Sequence, residues 1–215
     1  MAAGGRDPRQ HHRGGNGVPA LAARPGGAAE RFAHRIGLKH PAAVFFAALL
    51  GGFVVLAGLS ILAGLLVTQV LVHTGGIGSS DESFVRSLVG DRNGTLTEAS
   101  AIGSTIGGAP LLPILVGVIA IVCAFKRLWL VAGFAVFVLV LESATYRVTS
   151  IVDPRHRPFV HRLEALPVNA SYPSGHTAAS IAVYVGLALL LTSRIANRGV
   201  RALAWALAVL LPVFV

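Results

Sequence analysis

Long apolar runs alternate with short polar segments along most of this chain. Almost unbroken apolar stretches cover residues 42–72, 110–125, 128–148, 177–192 and 202–215. A helix needs about 20 apolar residues to cross the hydrocarbon core of a bilayer, so the first run is long enough to tilt within it. The fifth run is shorter than that length. The pattern predicts an all-α, polytopic bundle of transmembrane helices, with five spans visible and the fifth incomplete.

The segments outside these runs have a different character. Residues 1–40 are rich in Gly, Ala, Pro, Arg and His and show no apolar period, so we interpret them as a disordered basic tail. Residues 41–215 then form a single membrane domain. Between the first two runs, residues 81–89 and 95–107 have the spacing of two short helices that lie along the membrane surface.

Composition and charge agree with a membrane protein. Apolar residues make up 54% of the chain and charged residues only 13%, which is too little charge to cover a soluble surface. The single cysteine, Cys123, excludes an internal disulfide. The net charge of +9 does not indicate a nucleic-acid partner, because the positive residues are placed at the ends of the apolar runs.

The placement of Lys and Arg predicts the topology. They concentrate in the tail, at Lys126-Arg127, and between Arg194 and Arg201. The positive-inside rule assigns these three segments to the cytoplasmic side. Alternating spans then place the loops 74–109 and 149–173 together on the extracytoplasmic face of the cell membrane.

One candidate site lies in residues 172–177, Tyr-Pro-Ser-Gly-His-Thr, just before the fourth apolar run. Pro173 disfavours helix in the residue before it, and Ser174 is a favoured N-cap type, so a helix should begin near Gly175. Its free N–H groups and dipole would favour an anion, and Gly175 would let a phosphate approach the backbone. His176, in the first turn, can exchange a proton near neutral pH.

A second cationic cluster, Arg155-His156-Arg157-Pro158, lies upstream in the same predicted loop. Guanidinium groups bind phosphate oxygens in a bidentate geometry that Lys cannot reproduce. A Pro-Ser-Gly sequence alone is more often a plain helix start than a site. The combination with an arginine-rich loop favours a phosphate-binding site made of Arg157, Arg155, Ser174, Gly175 and His176.

These residues resemble two signatures of the type-2 phosphatidic acid phosphatase family of integral membrane lipid phosphatases. Pro173 to His176 match the second signature, Pro-Ser-Gly-His, in full. Arg157-Pro158 match the end of the first signature, but Ser150 stands at its Lys position, where Arg155 or Arg147 could substitute. In the third signature, Ser193-Arg194 match the start, and Val200 stands where a histidine belongs.

The resemblance implies a metal-independent hydrolase with no cofactor that cleaves lipid phosphate or pyrophosphate monoesters through a phosphohistidine intermediate. Arg157 would bind phosphate oxygens, and His176 would protonate the leaving group. The family's nucleophile is the histidine of the third signature. Since no histidine follows position 176, we expect the gene to encode that signature beyond Val215, and we expect the 215-residue chain alone to be inactive.

Other interpretations remain open at this stage. A non-catalytic membrane protein that binds phosphorylated lipid headgroups would need the same anion site. A metal site made of His156, His161 and His176 lacks supporting carboxylate or Cys spacing. A transporter would need polar residues within several spans, and these spans are nearly free of them. For Glu142, inside the third run, we expect a structural pairing with an arginine and not a catalytic role.

Overall fold

The computed structural model describes residues 26–37, 40–72, 77–157, 160, 171–192 and 195–215. Throughout these residues the regular elements are helices, so the all-α prediction is confirmed. They are α1 (Ala28–Ile36), α2 (Pro41–Leu65), α3 (Ile77–Gly90), α4 (Gly94–Gly107), α5 (Leu111–Phe125), α6 (Trp129–Val152), α7 (Gly175–Thr192) and α8 (Arg198–Phe214). A π-helical turn, Leu66–Leu71, extends α2.

Four helical stretches within the described residues are long and apolar enough to cross a membrane. They are Ala43–Leu71, Gly94–Phe125, Trp129–Val152 and Gly175–Thr192. Large side chains on them, such as Leu50 and Leu62, are about two-thirds exposed, as expected for helices that face lipid. The chain is therefore a membrane-embedded protein. The predicted fifth span is not confirmed, because α8 has 17 residues and is not among these stretches.

Most of the packing in the bundle joins helices that are neighbours in sequence. α5, α6, α7 and α8 pack one against the next, and α2 packs against α6. Leu112, Val116, Ala135 and Val183 form the buried apolar cluster where α5, α6 and α7 meet. Gly108, in the α4–α5 connection, lies against His176 at the start of α7, and both line one cleft with Arg157. The α4–α5 connection and the motif residues therefore lie at one end of the bundle.

α4 differs from its predicted place on the membrane surface. It packs against α5, α7 and α8, and the hydroxyl of Tyr184 on α7 donates a hydrogen bond of 2.8 Å to the carbonyl of Ile106. Gly103 lies close to the backbone of Phe214 on α8. Small residues on α4 permit these close approaches, so α4 belongs to the bundle.

α1 lies within the segment predicted to be disordered. Gly27 precedes it, and Gly37 ends it with φ of 65°, a left-handed conformation that glycine adopts without strain. Glu30 in its first turn and Arg35 in its last turn complement the helix dipole. These local signals specify a short helix without an apolar core. Residues 1–25, 38 and 39 of the predicted tail lie outside the described residues.

Candidate functional site: a cleft at the start of α7

The Pro-Ser-Gly-His sequence forms the start of α7, as predicted. The helix begins at Gly175, and the Ser174 hydroxyl accepts a hydrogen bond of 3.4 Å from the backbone N–H of Thr177. Ser174 is therefore the N-cap, and His176 occupies the second helical position. The backbone N–H groups of the first turn and the positive end of the dipole are directed toward the loop end of the bundle.

The connection between α6 and α7 contributes two described motif loops, residues 153–157 and 171–174, which meet at this end. The N–H of Ser171 donates a hydrogen bond of 3.0 Å to the carbonyl of Arg155. Both loops are also bonded to α2 and its π-helical extension. Tyr172 donates to the carbonyl of Ser60 at 3.0 Å, and Thr68 donates to the buried carboxyl of Asp153 at 2.9 Å. These bonds give the loops a fixed position relative to the bundle.

A cleft of about 680 Å³ lies between these loops and the helices below them. Arg157, Ser174, Gly175 and His176 all line it, although a gap of 16 residues in sequence separates the arginine from the serine. Leu112, Leu139 and Ala179 form part of the apolar wall. Four of the five predicted site residues thus share one cleft, and its volume is in the range of small-molecule sites.

Close contacts determine where His176 and Gly175 lie. A β-carbon added to Gly108 would stand 2.6 Å from the Nε2 of His176, so the imidazole lies directly against the α4–α5 connection. A β-carbon added to Gly175 would stand 3.2 Å from the ring of Tyr146. The helix start therefore packs tightly between α6 and the α4–α5 connection.

Arg155 does not join the other predicted residues. Its Nη2 lies 2.5 Å from the Oδ2 of Asp81 on α3, and it is not part of the cleft lining. Because its guanidinium is paired with the Asp81 carboxylate, Arg155 connects α3 to the loop and does not reach the cleft. Arg147, the other proposed substitute for the signature Lys, is exposed and also outside the lining.

Several cleft residues were missed in the sequence analysis. Arg92, between α3 and α4, lines the cleft, and no local pattern distinguishes it from other surface arginines. On α6, Glu142, Ser143 and Tyr146 line it as well, and the spacing of four residues places Glu142 and Tyr146 on one helical face. No sequence pattern indicated that Gly108 would line the cleft.

Glu142 does not form the arginine pair that was expected of it within the described residues. Its Oε2 accepts a hydrogen bond of 3.4 Å from Ser143, and its Oε1 is buried without a hydrogen-bond partner in that part of the chain. Among the described residues of the cleft lining, Glu142 is the one acidic residue, and Arg92 and Arg157 are the basic ones besides His176. The lining therefore favours an anionic ligand.

The histidines proposed as metal ligands are not gathered in the described part of the chain. His156 is exposed and outside the cleft lining, and His161 lies outside the described residues. Among the residues that the structure describes, no group of three His, Cys, Asp or Glu side chains could hold a metal ion.

Comparison of the chain with protein-family models, with curated proteins and with solved structures finds no match. The resemblance to the type-2 phosphatidic acid phosphatases therefore rests on the motif residues and on the cleft that Arg157 and residues 174–176 share.

Proposed function

We propose that the cleft binds the phosphate group of a membrane lipid and that the protein is a lipid phosphate or pyrophosphate hydrolase. One observation carries the proposal: Arg157, Ser174, Gly175 and His176 line the same cleft at the N-terminus of an apolar helix. Each is a residue type that commonly binds phosphate, and folding brings them together although 16 residues of the α6–α7 connection separate Arg157 from Ser174.

The chemistry follows from these groups. The Arg157 guanidinium binds phosphate oxygens, and the hydroxyl of Ser174 and the first N–H groups of α7 complete the site. The same groups stabilise the charge that develops on the phosphoryl oxygens during transfer. His176 protonates the leaving alkoxide, a role worth about 10²–10⁴-fold in rate. The apolar wall near Leu112 and Leu139 accommodates the first carbons of the lipid.

The resemblance implies a second histidine as the phosphoryl acceptor. Among the described residues that line the cleft, His176 is the one histidine. Val215, the C-cap of α8, also lines the cleft and lies against Gly107.

The anion site by itself supports a second candidate function, the binding of a phosphorylated lipid headgroup without turnover. The anion site needs only Arg157 and the start of α7, and it is complete without a nucleophile. Release of radiolabelled phosphate from a lipid phosphate in nanodiscs separates the two functions, because a binding protein retains the ligand unchanged.

The role of His176 has its own test in a chain that releases phosphate. His176→Ala should slow hydrolysis of alkyl phosphates by about 10²-fold or more, and slow activated aryl phosphates much less, because a good leaving group needs little protonation. Equal losses on both substrates would contradict the general-acid role.

We also propose a plasma-membrane, multi-pass topology with the N-terminus in the cytoplasm. Lys126 and Arg127, in the turn between α5 and α6, and Arg198, at the start of α8, lie at the opposite ends of these helices from Leu112 and Val215, which line the cleft. The positive-inside rule therefore favours the extracytoplasmic side for the cleft.

A further inference from the structure

Arg92 occupies a well-defined position beside the cleft. It follows α3, where the N–H of Asp91 donates to the carbonyl of Ser87 at 3.0 Å. It precedes Asn93, whose side chain caps α4 by accepting a hydrogen bond of 2.9 Å from the N–H of Leu96. The backbone on both sides of Arg92 is thus fixed by helix ends, and the residue lines the same cleft as Arg157 and His176.

A second cationic residue is expected in the cleft. Ser150 stands where the resembled signature has a Lys, and its hydroxyl is buried, outside the cleft lining. Arg155 is paired with Asp81, and Arg147 is exposed outside the lining. Neither Arg155 nor Arg147 therefore replaces the Lys in the cleft. Arg92, from a different segment, does line it.

We infer that Arg92 is a second phosphate-binding residue of this site, supplied by the connection between α3 and α4. The inference rests on the proposed function, since it assigns a further contact to the same phosphate. A guanidinium on the α3–α4 connection and one on the Arg157 loop bind oxygens of one phosphate group from two segments.

Arg86 provides a matched control on the same segment. It is an exposed arginine of α3 that pairs with Glu82 at 3.0 Å and lies outside the cleft lining. Arg86→Gln and Arg92→Gln remove the same charge from neighbouring turns, so long-range electrostatics changes about equally in the two variants. A difference between them reports a direct contact.

The experiment measures the affinity of the 215-residue chain, in phosphatidylcholine nanodiscs, for inorganic phosphate and for dioctanoyl phosphatidate. Losing one charge-assisted contact should weaken binding of both probes by about tenfold in Arg92→Gln. Arg92→Lys, which keeps the charge but loses the planar fork, should lose less, and Arg86→Gln should match the unchanged chain. If Arg92→Gln proves unstable, Arg92→Lys against Arg86→Lys gives the same comparison.

The outcomes distinguish the inference from the function on which it rests. An unchanged chain that binds both probes, together with equal affinities for Arg92→Gln and Arg86→Gln, overturns the role of Arg92 and leaves the proposed function standing. An unchanged chain that binds neither probe overturns the proposed function, and the role of Arg92 with it.

Discussion

Gly108 leaves the space in which the imidazole of His176 lies. A β-carbon at Gly108 would stand 2.6 Å from His176 Nε2 and equally close to the carbonyl oxygen of Ser104. The backbone of Gly108, with φ of −116° and ψ of −173°, is extended and open to any residue. Space, and not backbone conformation, therefore requires glycine here. The contact couples the α4–α5 connection to the start of α7.

Gly108→Ala should therefore impair the site through His176. The new methyl group must displace either the imidazole or the backbone of α4, and a misplacement of about 1 Å can cost roughly 10²-fold in rate. We expect hydrolysis of a lipid phosphate, in a chain that releases phosphate, to fall by at least about tenfold.

Gly117→Ala is the control for that change, because a β-carbon at Gly117 on α5 meets nothing within 4 Å. The unfolding temperatures of both variants in detergent show whether the fold is retained. A folded Gly108→Ala variant with the activity of the Gly117→Ala variant would show that the contact has no role in the site.

The ion pair between Asp81 and Arg155 gives a second prediction. If Arg155 serves to connect α3 to the motif loop, Asp81→Asn and Arg155→Gln should weaken phosphate binding to a similar, small extent. This pair is half-buried, and surface ion pairs are worth about 0.2–1 kcal/mol. Each variant should therefore lose less than about fivefold in affinity, and the double variant no more than either alone.

The same titrations test the role that the sequence suggested for Arg155. A direct phosphate contact would make Arg155→Gln much weaker than Asp81→Asn, by tenfold or more. That result would restore Arg155 to the site and would make its pair with Asp81 incidental.

The sequence was sufficient for the features that depend on local chemistry. Pro173 and Ser174 place the start of α7 at Gly175 because proline and N-cap preferences act within a few residues. The apolar runs predict the long helices because burial in lipid requires continuous hydrophobicity. Arg157 and His176 were recognised by residue type and spacing.

Features that depend on how distant segments pack could not be predicted from the sequence. Arg92 and Gly108 belong to segments without a motif, and only the folded chain brings them beside His176. The pairing of Arg155 with Asp81 joins residues 74 positions apart. The apolar, small-residue content of α4 is compatible with a surface helix or a packed helix, and only its contacts with α7 and α8 decide between them.

The sidedness of the cleft gives a third prediction. Ala170, an obvious loop position for a reporter cysteine, lies outside the described residues, so exposed Asp91 is the better choice. Asp91→Cys in a Cys123→Ala background should react with an impermeant thiol reagent on intact cells. Ala196→Cys, exposed at the other end of the bundle, should react only after lysis. The reverse pattern would place the cleft in the cytoplasm.

The most direct test of the central claim compares the binding of two lipids that differ only in the phosphate. The 215-residue chain, in phosphatidylcholine nanodiscs, is titrated with dioctanoyl phosphatidate and with dioctanoylglycerol, and the titrations are repeated with Arg157→Lys and with Arg147→Lys. Our account predicts that the chain binds the phosphatidate much more tightly than the glycerol lipid. It also predicts that Arg157→Lys weakens phosphatidate binding by about tenfold, because the planar fork is lost, while Arg147→Lys has no effect. Equal affinity for the two lipids, or equal affinities of the two variants for phosphatidate, would contradict it.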